Sequence, residues 1–123
     1  MTESLENIIE AAWNNRELLK EVRTCEAIKE VIKQLDAGEI RVAEPKGEHW
    51  TVNEWVKKAV ILYFPIMQME VTESGPLEFH DKIPLKHHYS NLGVRVVPHA
   101  IARYGSYLAP GVILMPGYVN IGA

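Results

Sequence analysis

Val97-Pro98-His99-Ala100-Ile101-Ala102, Arg103-Tyr104-Gly105-Ser106-Tyr107-Leu108, Ala109-Pro110-Gly111-Val112-Ile113-Leu114 and Met115-Pro116-Gly117-Tyr118-Val119-Asn120, followed by Ile121-Gly122-Ala123, divide into units of six. Three of the four complete units carry Pro at the second position, and Gly105, Gly111 and Gly117 hold the third position of three successive units. The fifth position is Ile101, Tyr107, Ile113 and Val119, apolar each time. Small and turn-forming residues are what a corner needs when the backbone must bend once every six residues. A period of six with regular corners predicts a parallel β-helix of triangular section, in which three hexads make one coil and each coil hydrogen-bonds to the next. The competing explanation, loops that happen to be punctuated by Pro and Gly, must account for four matching units in a row. Residues 97–123 amount to about one and a half coils, whereas solenoids need about three repeats and a capping unit. The last strand, Tyr118 to Ile121, would therefore present an open edge of the kind that recruits partners or aggregates.

Upstream, residues 65–94 contain Pro65, Gly75, Pro76, Pro84 and Gly93 among short apolar pieces such as Ile66-Met67 and Val71, which predicts an extended connector with up to two short strands. The N-terminal part reads differently. Thr2 or Ser4 can cap a first helix in which Leu5, Ile8, Ile9, Ala12 and Trp13 form one apolar stripe. Arg16 to Arg23 is helical at least in part, its boundary left open by Leu18, Leu19 and Val22. A second helix starts at Thr24, carries Ala27, Ile28, Val31, Ile32 and Leu35 on one face, and stops at Gly38. Ile40, Val42, Trp50 and Val52 alternate with polar residues around Pro45-Lys46-Gly47-Glu48, which predicts a short hairpin. Asn53 is the expected N-cap of a third helix, with Val56, Ala59, Val60 and Tyr63 buried and Pro65 as its end. The organisation is thus an α+β helical domain over 1–64, a connector over 65–94 and the start of a β-helix over 95–123.

Composition narrows the function classes. The chain has 123 residues, 47% hydrophobic and 24% charged, the mix of a globular domain rather than a disordered one. Its net charge of −3 leaves no excess of Lys and Arg for a phosphate backbone, so nucleic acid is not expected as a partner. The longest apolar run, Ala59 to Met67, is far short of the roughly 20 residues that span a bilayer. The acidic start, Met1-Thr2-Glu3-Ser4-Leu5-Glu6, is unlike a secretory signal and predicts a cytoplasmic protein. The single Cys25 cannot form an internal disulfide and is read as a packed helix residue.

Side chains that could carry chemistry are few. Of the five histidines, His49, His80, His87, His88 and His99, the adjacent His87 and His88 point to opposite sides of an extended segment and His80 with Asp81 is no ligand pair by spacing alone, so no metal site is predicted, and no tightly held cofactor is expected. Ser4, Ser74, Ser90 and Ser106 sit in no nucleophile elbow, and no glycine-rich phosphate loop occurs. Trp13, Trp50 and Trp55 are expected to pack rather than to stack on bases.

Several strings resemble one family. They are Leu5 to Ala12, Leu35-Asp36 through Gly38 to Arg41-Val42-Ala43-Glu44, Trp55-Val56-Lys57-Lys58-Ala59-Val60, and Asp81-Lys82-Ile83-Pro84-Leu85-Lys86. Val94-Arg95-Val96-Val97-Pro98, Leu114-Met115-Pro116 and Tyr118-Val119-Asn120-Ile121-Gly122-Ala123 complete the set. Together they resemble the tetrahydrodipicolinate N-succinyltransferases of bacterial lysine and diaminopimelate synthesis, along the whole chain. The resemblance implies transfer of a succinyl group from succinyl-CoA to the amino group of the ring-opened substrate. It also implies a homotrimer of left-handed β-helices with active sites between subunits; the hand comes from the family and runs against the usual right-handed crossover. Arg95 matches a substrate-binding arginine of the family, and a planar guanidinium suits the carboxylates of a dicarboxylate.

The family's chain continues past Ile121-Gly122-Ala123 with further hexads, which bring an aspartate of the site and then the CoA-binding coils. No residue of this sequence inherits those roles. The chain is therefore expected to be about the first half of the enzyme, as a fragment, an expression product or a truncated reading frame, and inactive alone. A second reading, of a different class, is a non-catalytic assembly or substrate-docking module with an exposed β-helix edge.

Overall fold

A computed structural model describes residues 4–123. Three helices pack against one another at the N-terminal end. Helix α1 (Leu5–Asn14) is capped by Ser4, whose hydroxyl accepts from the Asn7 N–H at 3.2 Å; Thr2, the other expected cap, lies outside the described residues. Arg16–Lys20 forms a 3₁₀ turn capped by Asn15, and α2 (Val22–Ala37) follows. Its start at Val22 rather than Thr24 reflects where Thr24 goes: the side chain is buried inside the first turn and caps nothing.

Helix α2 ends at Gly38, in the left-handed conformation at φ +76°. A Cβ at this position would lie 2.6 Å from the Tyr107 ring, so the residue both closes the helix and admits an aromatic side chain from the far end of the sequence. Helix α3 (Glu54–Ile66) runs one residue past the expected stop. Pro65 already has a helical φ and sits in the final turn, where a missing N–H costs one bond; Met67 N–H then donates to Phe64 O at 3.2 Å and closes the end. Asn53 stands at the N-cap position but makes no capping bond. Its amide instead donates to Arg41 O at 2.7 Å, tying down the entry to the preceding hairpin.

The core between the helices holds Ile9, Ala12, Ile28, Val31, Ile32, Val56, Ala59 and Leu62, all essentially removed from solvent. Each of the larger ones contributes on the order of 1.5–3 kcal/mol of transfer free energy, and together they hold the three helices to one another. A hairpin, β1 (Ala43–Lys46) and β2 (His49–Val52), turns at Gly47-Glu48, so Pro45 and Lys46 belong to the first strand and not to the turn.

The connector holds a second antiparallel hairpin, β3 (Glu70–Ser74) and β4 (Leu77–Asp81), nearly all of it exposed. Glu73 stands opposite Glu78 and Glu70 opposite Asp81. A one-turn helix α4 (Tyr89–Leu92), which the sequence pattern did not suggest, leads into β5 (Arg95–Val96) and β6 (Ile101–Ala102). After further bends come β7 (Ile113–Leu114) and β8 (Tyr118–Val119). Both pairs are parallel: β5 with β7, Arg95 beside Ile113, and β6 with β8, Ile101 beside Tyr118.

The chain thus makes a circuit and lies back on itself, 18 residues later on one side and 17 on the next. One residue fewer separates β7 from β8 than β5 from β6, so the corner Met115-Pro116-Gly117 is shorter than Val97-Pro98-His99-Ala100. Turns and bends fall at Pro98-His99, Gly105, Pro110-Gly111 and Pro116-Gly117, where the six-residue division puts its second and third positions. Up to the end of the third unit the buried register differs from the apolar fifth position: Val96, Ala102, Leu108 and Leu114, at the sixth, pack inside with Val94 and Val112, whereas Ile113 is 56% exposed; in the fourth unit, after the shorter corner, the fifth residue, Val119, packs inside. Apolar residues occur at both positions, and a shift of one residue exchanges the faces of a strand.

The circuit and the helices meet at a buried lysine. Lys86, 3% exposed, donates from Nζ to the Asp36 carboxylate at 2.7 Å, to Asp36 O at 2.9 Å and to Ser106 O at 2.8 Å. The same Asp36 oxygen accepts the Gly105 N–H at 2.9 Å. All three protons of the ammonium are used, which is what a buried charge requires. Gly105 belongs to this joint for steric reasons as well: at φ +96°, a Cβ there would come within 2.8 Å of Ile121 and 3.1 Å of Ile32.

Candidate functional site

Arg95 lies on β5, immediately after the turn that Gly93 closes by donating to Ser90 O. Its backbone is held from both directions, Arg95 N–H on Val112 O and Val97 N–H on Leu114 O, each at 2.9 Å. The side chain points away from the interior and is exposed; its in-register neighbour Ile113 is exposed too. Among the described residues no hydrogen bond or ion pair engages the guanidinium. A charged planar fork on a fixed backbone, not already spent on a protein carboxylate, is competent to take a carboxylate from outside.

The other lysine and arginine side chains of residues 65–123 are committed. Arg103, on the neighbouring side of the circuit, pairs with Asp81 at 2.9 Å, donates to Asn120 Oδ1 at 3.2 Å and lies between the rings of Phe64 and Tyr118, while its Nε is buried without a partner. Lys86 is fully engaged in the joint described above. Neither residue was singled out by spacing, because their partners lie 22 and 50 residues away; only the string Asp81 to Lys86 pointed to the segment.

No general base is evident among the tyrosines. Burial pushes the phenols of Tyr63, Tyr89 and Tyr104 above their ordinary value; Asp36 adds to this at Tyr89 and Tyr104, and Glu30 at Tyr104. All three stay protonated near neutrality. The histidines remain scattered: His49 on β2, His80 on β4, His99 at a corner, with the His87 and His88 rings edge to face at 6.3 Å and His88 in the left-handed region. Among the described residues no three His, Cys, Asp or Glu stand close enough to share a metal ion. Trp13 and Trp55 pack against the helical core, Trp13 beneath the Arg16 and Lys58 cations, but Trp50 is 70% exposed on β2 and departs from the expected packing role. Cys25 is half-buried in α2, its thiol donating to Leu19 O. No helix among the described residues is long and apolar enough to cross a membrane.

The helical part and its first hairpin match a family model described as the N-terminal region of tetrahydrodipicolinate N-succinyltransferase, over residues 4–66. The chain belongs to the tetrahydrodipicolinate N-succinyltransferase family. Relatives named 2,3,4,5-tetrahydropyridine-2,6-dicarboxylate N-succinyltransferase align along nearly all of it. The protein of Paracidovorax citrulli is 48% identical over 99% of this chain, that of Albidiferax ferrireducens 47% over 99%, and that of Legionella pneumophila strain Corby 45% over 98%. The aligned part is 48%, 48% and 47% of those proteins, so this N-succinyltransferase family chain spans about half the length of the curated relatives it matches. The aligned stretch includes Arg95 and the whole parallel circuit.

Proposed function

We propose that this chain supplies the N-terminal helical domain (1–64), connector (65–94) and opening β-helical coil (95–123) of an enzyme that moves succinyl from succinyl-CoA to tetrahydrodipicolinate in lysine and diaminopimelate synthesis. The observation that carries the reading is the 47–48% identity, along 99% of this chain, with proteins bearing that enzyme's name. A β-helical path is supported by the parallel pairing of Arg95 with Ile113, 18 residues on, and by bends at the second and third hexad positions; its left hand is taken from the family resemblance. In this reading Arg95 binds a carboxylate of the dicarboxylate substrate, the assembly is a cytoplasmic homotrimer, and succinyl-CoA is a cosubstrate rather than a resident cofactor.

Amide formation from a thioester needs the amine free of its proton and the developing oxyanion stabilised by donors. Arg95, always charged, cannot take the amine's proton, and in this reading its part is to hold and orient the acceptor, with the proton-transfer and thioester-binding groups supplied from outside residues 1–123.

The test is a thiol-release assay with succinyl-CoA and the cyclic imine, on residues 1–123 alone and on a chimera in which they replace the matching half of the Paracidovorax citrulli protein. No turnover by the first and clear turnover by the folded chimera are expected. A folded, inactive chimera would overturn the proposal. A non-catalytic assembly or docking role is favoured by one observation, the outward exposure of Ile113 and Met115 on the circuit, and residues 1–123 that self-associate through those two side chains without supporting turnover in the chimera would establish it.

A further inference from the structure

Between the inner face of the β3–β4 hairpin and the outer side of β6 and β8 lies a groove of about 470 Å³. Small-molecule sites occupy roughly this range and combine apolar walls with a few polar groups. Strand alternation puts Glu70, Thr72, Phe79 and Asp81 on one face of the hairpin, and all four line the groove. The facing wall is Ile101 and Tyr118, direct neighbours in the parallel register.

Two carboxylates, Glu70 and Asp81, and two cations, Lys82 and Arg103, stand at the groove, but neither cation reaches Glu70. Glu70 stands opposite Asp81, an unfavourable arrangement for two carboxylates. Arg103 neutralises Asp81 alone, and the other cation at the groove, Lys82, is turned to the end of α3, donating to Phe64 O at 3.1 Å. Among the described residues the Glu70 carboxylate has no hydrogen bond or ion pair. Phe79 and Tyr118 meanwhile leave large parts of their rings to solvent. A carboxylate without a protein partner, beside the exposed Phe79 ring and the side of the Tyr118 ring that Arg103 leaves free, is complementary to a cation carried on an apolar body and unfavourable to an anion.

We propose that this groove binds a small amphipathic primary amine, its ammonium on Glu70 and its apolar body between Phe79 and Tyr118. The site lies on a different side of the circuit from Arg95, which does not line it, and it stands whether or not the acyl-transfer reading does.

The test is a titration of the isotopically labelled 123-residue chain with 4-phenylbutylamine and, in parallel, 4-phenylbutyrate, followed by backbone amide chemical shifts. The amine should saturate and move the signals of Glu70, Phe79, Ile101 and Tyr118. The acid should bind at least about tenfold more weakly, since it replaces a charge-assisted hydrogen bond with repulsion. Glu70→Gln should weaken the amine about tenfold while the remaining spectrum stays in place. Glu73→Gln, on the opposite hairpin face, should bind as the parent does. Equal binding of amine and acid, an unchanged affinity in Glu70→Gln, shifts confined to another surface, or no saturation would each overturn the proposal.

Discussion

Lys86 Nζ and the Asp36 carboxylate, 50 residues apart in sequence, meet at 2.7 Å and join the end of α2 to the parallel circuit. The aspartate also receives the Gly105 N–H, so one carboxylate gathers a helix terminus, the connector and a corner. Removing the lysine leaves Asp36 and Ser106 O short of a donor in a site largely closed to water. Lys86→Met is expected to cost about 3 kcal/mol, the usual scale for breaking a buried pair from one end. Urea unfolding checks it; a loss below about 0.5 kcal/mol would mean the joint contributes nothing net.

Gly38 and Gly105 are constrained twice, by a positive φ and by a neighbour closer than any Cβ tolerates. Gly38→Ala meets the rigid Tyr107 ring, and Gly105→Ala meets Ile121 and Ile32. Each should lose about 2–4 kcal/mol, summing the left-handed backbone cost and overpacking. Pairing Gly38→Ala with Tyr107→Ala should remove the steric part and leave the backbone part, which thermal unfolding of the double variant would show.

Arg95 is exposed and makes no side-chain bond among the described residues, so its replacement should leave the fold alone. Arg95→Ala is expected to change unfolding free energy by less than about 0.5 kcal/mol. In the chimera with the Paracidovorax citrulli half it should abolish turnover while the assembly keeps its size in light scattering. Wild-type turnover would remove Arg95 from the substrate site.

Alkaline stability follows from the phenols. Tyr63, Tyr89 and Tyr104 have pKa values raised in the fold, by burial first. In the unfolded chain they ionise near pH 10, before the folded ones do. The unfolded state then binds fewer protons, so stability is fully present below about pH 10 and falls as the pH rises through the folded values. Tyr104→Phe should flatten that decline, measured as urea midpoints from pH 9 to 11; an unchanged slope would assign the loss to other groups.

Corners proved more legible than faces. Pro and Gly act on their own backbone, so Pro110-Gly111 and Pro116-Gly117 marked bends without any knowledge of what packs nearby. Which side chain turns inward depends on phase, and with Ile113 and Leu114 adjacent and both apolar, hydrophobicity alone did not settle it. Asn53 had the residue type of a cap and the position of one, yet its amide serves Arg41 O, a partner 12 residues away. Helix stripes were readable because α1 and α2 each bury one regular face. Lys86, Asp36 and Arg103 left no local trace, since a long-range ion pair needs the fold before its partners are neighbours. The resemblance carried the family and is the sole ground on which Arg95 was nominated, and periodicity carried the parallel path.

The pairing of Glu73 with Glu78 near the tip of the exposed hairpin has a protective effect. A bare two-stranded ribbon showing Val71, Leu77 and Phe79 would otherwise invite a second ribbon to zip alongside it. Facing carboxylates make that approach repulsive, so the ribbon's solubility hangs on two side chains that hold nothing else together, and Glu73→Val with Glu78→Val would turn it into an adhesive edge.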